Sequence, residues 1–278
     1  MGRNILDTFA CAGAAAWGYW KAGLNPYGVE LDPKRALHYP FPVHVGDALE
    51  AIRTLNQGGK VGFVLPEGRR PIRVRGKIVG IQGRVVWLGK SDFIAGHGSP
   101  PCQGYTRGNA GKVTDWPKLI PDVRELFQAG GWVYVIENVD DAINEMVNPT
   151  RLCGCMFDLK AQDYTCLEPG RHIGACDIVN GVTVHLQRGR LFETSFELDP
   201  PRACDHTNHE WVAGAYGGAR RDKHEAKYVR KGGYVPPTKE LVAELLGIEH
   251  DMTWAELFEA IPPAYTEHIG RRIIALAA

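Results

Sequence analysis

Asp92-Phe93-Ile94-Ala95, leading into Ser99-Pro100-Pro101-Cys102-Gln103, and Trp132-Val133-Tyr134-Val135-Ile136, leading into Glu137-Asn138-Val139, decide how this chain is read. Each is an apolar run that stops abruptly at polar residues. Buried parallel strands look like this because both of their faces are covered, and the polar residues then fall at the carboxyl edge of an α/β sheet. The diproline fixes two φ angles and removes two backbone donors, so Cys102 begins a stiff loop and cannot sit inside a ladder. A thiol and a carboxyl group are therefore expected to face one crevice. A single cysteine is commonly a packing residue. The carboxyl-bearing strand 35 residues further on makes Cys102 a candidate nucleophile.

Working toward the amino terminus, Asn4 to Phe9 reads as a short buried strand that runs into Ala10-Cys11-Ala12-Gly13-Ala14-Ala15-Ala16, small residues opening a helix that ends near Gly23. Such a βα turn lets backbone approach a ligand closely, with helix N–H groups pointing at it. A second strand, Tyr27 to Asp32, ends in acids at Glu30 and Asp32, with Leu31 between them. The first of these acids is placed where a ribose-binding carboxylate sits in nucleotide folds. A third, Val43 to Ala48, ends at Asp47-Ala48.

Residues 57–91 read as an insertion, a small antiparallel meander of three β-rich runs between glycine and proline turns. Lys60, Arg69, Arg70, Arg73, Arg75, Lys77, Arg84 and Lys90 stand there against Glu67 alone. Over the whole chain 32 Lys+Arg balance 32 Asp+Glu, so any nucleic-acid surface must be local, and this meander is the expected one. Arg73 and Arg75 are its candidate phosphate contacts. Beyond Cys102, the glycine-rich run Gly104 to Lys112, with Thr106, Arg107 and Lys112, suggests a loop that closes over a strand of nucleic acid. A second glycine-rich basic stretch contains Arg220 and Arg221 among Trp211, Tyr216 and Tyr228.

At 278 residues the chain can bury an ample core. It has no apolar leader and no window approaching 18 apolar residues, so an intracellular protein without a membrane span is expected. Seven cysteines in so long a chain argue against a disulfide framework. Cys153 and Cys155 form one cluster with Cys166, His172 and Cys176, and Cys204, His206 and His209 form another with His224. Neither has paired Cys-x-x-Cys knuckles, and Cys-x-His spacing is poor for one tetrahedral centre, so no metal is expected. Near the carboxyl end, Thr238 to Leu246 and Thr253 to Phe258 read as helices, with Thr253 as an N-cap. Ile261-Pro262-Pro263 then opens a last helix with prolines in its first turn.

Taken in order, Phe9 to Gly13, Glu30, Asp47, Pro-Cys-Gln, Glu-Asn-Val, Arg188-Gly189-Arg190 and Pro262-Pro263 resemble the DNA cytosine-5-methyltransferase family, and most closely the compact methylases of bacteriophages. The resemblance covers most of the chain without permutation. It implies an α/β fold: a Rossmann-like AdoMet-dependent methyltransferase sheet over residues 1–190 and 236–278, with a small target-recognition region at 191–235 and the basic insertion at 57–91. Phe9, Ala10, Gly13, Ala14, Glu30, Leu31, Asp47, Ala48 and Pro101 would then line the site for S-adenosyl-L-methionine. Phe9 would pack on the adenine, Glu30 would hold the ribose hydroxyls, and Asp47 would meet the adenine amine. Cys11 and Ala14 stand where the family usually has glycine, and an altered loop backbone is expected there.

The resemblance also gives Cys102 the role of nucleophile toward C6 of a flipped-out cytosine, with Glu137 beside N3. Arg188 and Arg190 would point the same way from one strand, and Pro101, Gln103 and Asn138 would complete the motif. The family's Gln in that arginine motif falls on Leu186, and its Asn before the closing prolines falls on Glu259. The implied partner is double-stranded DNA, met by a monomer that needs no metal. The tRNA cytosine-5 enzymes share Pro-Cys-Gln and Glu-Asn-Val, so an RNA substrate stays open, as does a DNA-binding relative without turnover.

Overall fold

The computed structural model describes residues 2–106, 116–163, 182–209, 211–213, 236 and 238–277. The candidate contacts Arg107, Lys112, Arg220 and Arg221 lie outside them, as do Cys166, His172, Cys176 and His224.

The chain divides into two compact units, one formed by 1–152, 190–199 and 263–278, the other by 153–189 and 200–262. These bounds cut across the expected division at 191–235. Residues 190–199 join the first unit because the strand within them is laddered onto the Glu-Asn-Val strand, and 236–262 fall with the second.

The first unit begins with β1 (Asn4–Thr8), α1 (Ala14–Lys21), β2 (Asn25–Glu30), α2 (Pro33–His38), β3 (Val43–Val45) and α3 (Ala48–Asn56). Local signals account for the helix starts. Asp32 caps α2, with proline at its first turn, and Asp47 caps α3 through a bond from Glu50 N (2.9 Å). Four strands follow, β4 (Lys60–Val64), β5 (Arg70–Val74), β6 (Lys77–Gln82) and β7 (Val85–Gly89). Then come β8 (Phe93–Gly98), α4 (Ile120–Ala129), β9 (Tyr134–Val139) and β10 (Thr150–Leu152). Two further strands, β11 (Lys160–Asp163) and β12 (Val182–His185), belong to the second unit, and β13 (Arg190–Thr194) returns to the first.

A nine-stranded sheet runs in the order β10-β13-β9-β8-β1-β2-β3-β4-β7. Its five central strands, β9 to β3, are mutually parallel, and the flanking pairs are antiparallel. The chain builds outward from β1 through β2 to β3, then returns to the other side of β1 to lay down β8 and β9. The order therefore reverses between β1 and β8, the position where ligands bind in open α/β sheets.

The basic segment 57–91 departs from the expected meander. Its outer strands, β4 and β7, pair with each other and extend the central sheet, and only β5 and β6 stand apart as a two-stranded hairpin. Val61, Phe63 and Val64 are buried, so sheet edge and core gain from the pairing what an isolated hairpin would forgo. Arg69, counted among the basic residues of this segment, is turned to the protein itself. Its guanidinium donates to the carbonyls of Ala36, Tyr39, Phe41 and Val64.

The closing helix α7 (Pro263–Leu276) packs on α1. Thr266 Oγ1 donates to the Ala15 carbonyl (2.8 Å), and Gly18 lets the two backbones meet. A Cβ at Gly18 would stand 2.0 Å from both the Pro263 carbonyl oxygen and Thr266 Oγ1. Gly18→Ala is expected to cost about 3 kcal/mol, because backbone must move to admit the methyl group. In a domain of this size that is a fall in Tm of roughly 6–12 °C. A shift under roughly 2 °C in a thermal melt would mean that the two helices separate easily.

The second unit holds a three-stranded sheet, β11-β12-β14, where β14 is Trp211–Val212. Helices α5 (Lys239–Leu246) and α6 (Trp254–Glu259) follow. Thr238 caps α5, and Thr253, the N-cap the sequence predicts, forms a capping box with Glu256 on α6. No described helix is long and apolar enough to cross a membrane.

Candidate active site

Two loops leave the sheet where its order reverses. The first joins β1 to α1. Phe9 (φ 59°) and Cys11 (φ 48°) both adopt the left-handed conformation, and Gly13 (φ 86°) caps α1. Cys11 thus holds a backbone that glycine would take without strain, at about 1–2 kcal/mol. Only glycine fits at 13, since a Cβ there would lie 2.7 Å from Pro40 Cδ. Ala10 and Ala14 are buried, and Phe9 is half-buried.

At the end of β2 the Glu30 carboxylate accepts from Cys11 N and Asp32 N, both at 2.8 Å. Burial raises its pKa, and those two N–H donors oppose the rise. The bonds fix the carboxylate, and each of its oxygens keeps a second lone pair. Leu31 beside it is 69 % exposed, an apolar side chain left open to solvent among the described residues. Asp47 is exposed at the end of β3, and Ala48 next to it is buried. An aromatic, an exposed leucine and two carboxylates at the ends of three adjacent strands suit a ligand with an apolar ring, hydroxyl groups and an amine. That donor set fits S-adenosyl-L-methionine.

The second loop leaves β8. Pro101 precedes a single 3₁₀ turn, Cys102–Gly104. The Cys102 carbonyl accepts from Tyr105 N (3.0 Å), Thr106 N (3.1 Å) and Thr106 Oγ1 (3.0 Å), so the expected nucleic-acid contact Thr106 turns its hydroxyl inward to brace the cysteine. Tyr105 OH in turn accepts from Ile120 N at the start of α4 (3.0 Å). Cys102, Pro101 and Gln103 are all partly exposed.

The Glu-Asn-Val strand is bound directly to this loop. β8 and β9 run parallel with Gly98 opposite Ile136, so Glu137 stands one residue beyond the last paired position. Asn138 Nδ2 donates to the Pro100 carbonyl (2.9 Å), and Asn138 Oδ1 accepts from Val139 N (3.0 Å). Asn138 is thus a clamp between the carboxylate strand and the cysteine loop. Glu137 is 6 % exposed and pairs with Arg190 (Nε to Oε1, 3.0 Å), which is 7 % exposed. β13 runs antiparallel to β9 and sets Arg190 opposite Val139.

Arg188 departs from the expectation of two arginines alternating on one strand. β13 begins only at Arg190. Arg188 lies in the second unit, buried, with its guanidinium donating to the Phe258 carbonyl. Strand alternation needs both residues in one ladder, and the chain leaves the ladder at Gly189. Arg73 and Arg75 are exposed on the β5–β6 hairpin, whose tight turn is Arg75-Gly76 (φ 48° and 79°). A cavity of about 710 Å³ opens at the opposite, amino-terminal edge of the sheet, beside Lys60, Lys90 and Trp132, and contains none of these residues.

Several buried polar groups escaped the sequence reading. Glu193 takes a two-pronged ion pair from Arg124 (2.6 and 2.7 Å) and a bond from Val147 N, which pins β13 in place. The signal was a charged residue directly after the apolar pair Leu191-Phe192. His97, fully buried beneath the cysteine loop, bonds to Tyr19 OH (2.8 Å) and Ser99 Oγ (2.6 Å). Burial lowers its pKa to about 3. Asp7, buried and bonded to Tyr39 OH (3.0 Å), is raised by burial to about 8.

These two shifts act on stability in opposite senses. Neutral His97 favours the folded state above its unfolded pKa near 6.5, and that advantage is lost as pH falls toward 3. Protonated Asp7 favours the folded state below 3.8, and that advantage is lost as pH rises toward 8. Between pH 4 and 6.5 they offset each other. Asp7→Asn keeps the acceptor for Tyr39 and removes one side of the balance, so its unfolding free energy is expected to drop by about 1.4 kcal/mol per pH unit of acidification relative to wild type. Denaturant melts at pH 4.5 and 6.5 measure this, and parallel wild-type and variant profiles would refute it.

The four donors Cys153, Cys155, Cys204 and His206 also come together, within 4.8 Å of one another in the second unit. The expectation of no metal treated the two Cys/His clusters separately, whereas the fold takes one pair from each.

No protein-family model matches the chain, and no curated protein matches its sequence. Solved structures do. A candidate DNA modification methyltransferase encoded within an E. coli prophage aligns over 99 % of both chains with a TM-score of 0.50 and 11 % identity. The S. pombe Dnmt2 methyltransferase aligns over 99 % of both chains (TM-score 0.46, 9 % identity), and a Spodoptera frugiperda DNMT2 variant over 98 % of this chain and all of its own (0.47, 9 %). The chain has the mixed α/β fold of the prophage methyltransferase, with its large and mostly parallel central sheet.

Proposed function

We propose that this chain is a DNA cytosine-5 methyltransferase working through a covalent Cys102 adduct. The observation that carries the reading is the junction of β8 and β9. One hydrogen bond, Asn138 to Pro100, fastens a buried Glu137–Arg190 pair to a stiff loop that presents a cysteine.

Cytosine C5 is too weak a nucleophile to take a methyl group unaided. The Cys102 thiolate adds to C6, and the electron pair of the C5–C6 double bond moves so that C5 becomes nucleophilic. Glu137 meets the N3 edge of the ring and supplies the proton or hydrogen bond that absorbs the growing charge. Arg190 orients that carboxylate and adds positive charge where the base oxygen gathers electron density. S-adenosyl-L-methionine would be held by Phe9, Glu30, Leu31 and Asp47, and when bound it would supply the methyl group that C5 takes, its sulfur leaving with the bonding pair as S-adenosyl-L-homocysteine. Loss of the C5 proton to a base then expels the Cys102 thiolate and restores the ring. Because C6 is inaccessible in a stacked duplex, the base must leave the helix to be reached. The exposed Arg73 and Arg75 suit contact with the phosphate backbone.

The test sets duplex DNA beside tRNA with labelled S-adenosyl-L-methionine, followed by bisulfite sequencing of DNA from cells expressing the chain. Methylated cytosines at one sequence context in DNA are expected. Label confined to tRNA would move the reading to an RNA enzyme, and label in neither would refute it.

A further inference from the structure

Outside the candidate active site, the second unit gathers four metal-ligating groups from two distant segments. Cys153 and Cys155 flank Gly154 at the start of a 3₁₀ turn, Gly154–Phe157. Cys204 and His206 flank Asp205 in a loop whose shape is held by Thr207, which donates to Asp205 Oδ1 through both N (2.9 Å) and Oγ1 (2.8 Å). The donor atoms stand close: Cys155 Sγ to Cys204 Sγ 3.3 Å, Cys153 Sγ to His206 Nε2 3.2 Å, and Cys204 Sγ to His206 Nε2 3.3 Å. All four fall within 4.8 Å of one another.

We propose that these residues bind one structural Zn²⁺ ion in a tetrahedral Cys₃His site. A tetrahedral zinc with Zn–S of about 2.3 Å and Zn–N of about 2.0–2.1 Å has edges of roughly 3.4–3.8 Å, a length that the donor separations bracket. A disulfide fits less well, since the Cys155 and Cys204 sulfurs are well beyond the 2.05 Å bond length. Three soft sulfur donors and an imidazole favour zinc over the oxygen-seeking cations. The ligands are complete, so the site has no open position and is structural rather than catalytic.

The surroundings give the ion something to hold. Arg202 Nη2 donates to the Cys155 carbonyl, Gly154 N donates to the Gln187 carbonyl (3.2 Å), and the Cys153 thiol lies against that same carbonyl. Binding replaces three thiol protons, including the one Cys153 gives to Gln187, and releases them to solvent. The second unit is small in regular structure among its described residues, with a three-stranded sheet and two short helices. A staple between the Cys153 turn and the Cys204 loop supplies order that such a core lacks. It also anchors Gln187, the residue before buried Arg188.

Metal analysis of the full chain, purified without chelator, tests this. About one zinc per chain is expected, unchanged in Cys102→Ser and reduced at least fivefold in Cys204→Ser. Should Cys204→Ser fail to fold, the wild-type chain loaded with Co²⁺ is expected to show the intense visible bands of tetrahedral thiolate coordination. Less than about 0.2 zinc per chain after supplementation, absence of those cobalt bands, or a Cys155–Cys204 disulfide in the reduced purified protein would each overturn the proposal.

Discussion

Cys102→Ser is expected to lose methyl transfer by on the order of 10⁴-fold or more, the scale on which removing a covalent nucleophile acts. Serine keeps the size of the side chain and the three bonds to the residue 102 carbonyl, so the loop is expected to stay in place. It does not keep a group that ionises near neutral pH, and a thiolate is the species that adds to the ring. Binding of S-adenosyl-L-methionine, measured by calorimetry, is expected to change less than about twofold. Glu30, Leu31 and Asp47 sit on other elements and do not depend on the sulfur. DNA containing 5-fluorocytosine separates the outcomes further, since the fluorine cannot leave as the C5 proton does. Wild type is expected to remain bonded to it and Cys102→Ser to release it. Turnover retained in the serine variant would remove the nucleophile assignment, and with it the proposed reaction.

Glu137→Gln is expected to lower kcat by roughly 10²–10⁴, the range typical of a general acid–base group, with little change in KM for DNA. The buried pair with Arg190 complicates the reading. Breaking such a pair from one side leaves an uncompensated charge and costs about 3–5 kcal/mol of stability. A melt must therefore accompany the kinetics, and assays belong well below the variant's Tm. The double variant Glu137→Gln/Arg190→Gln settles the division of labour. If the arginine acts by orienting the carboxylate, its removal from an enzyme already lacking that carboxylate adds little further loss, and the two changes are strongly non-additive. Fully additive losses would mean that Arg190 works on the substrate independently. A Glu137→Gln enzyme within about threefold of wild type would sink the role given to the carboxylate.

Much of this site could be read before any coordinates. Apolar runs ending at Ser99 and Glu137 became β8 and β9, side by side and parallel, because a strand buried on both faces needs unbroken hydrophobicity and that need is visible in a short window. Thr253 announced a helix start because capping is a bond across three or four residues, and the caps at Asp32, Asp47 and Thr238 are of the same local kind. The acids after β2 and β3 could be placed for the same reason: the ends of strands are local events.

Local signals in the chain thus specify most of its elements in order, together with the cysteine after β8 and the acids after β2 and β3. Which of those residues meet is set by long-range packing. It separated Arg190, paired with Glu137, from Arg188, turned to the Phe258 carbonyl, although two positions divide them. It spent Arg69 on four carbonyls, drew β4 and β7 into the central sheet, and closed the 49-residue gap between Cys155 and Cys204. The reason is one of range. Periodicity and capping are satisfied within a turn or a strand, whereas partners distant in sequence are chosen by which loop closures the whole packed core can repay.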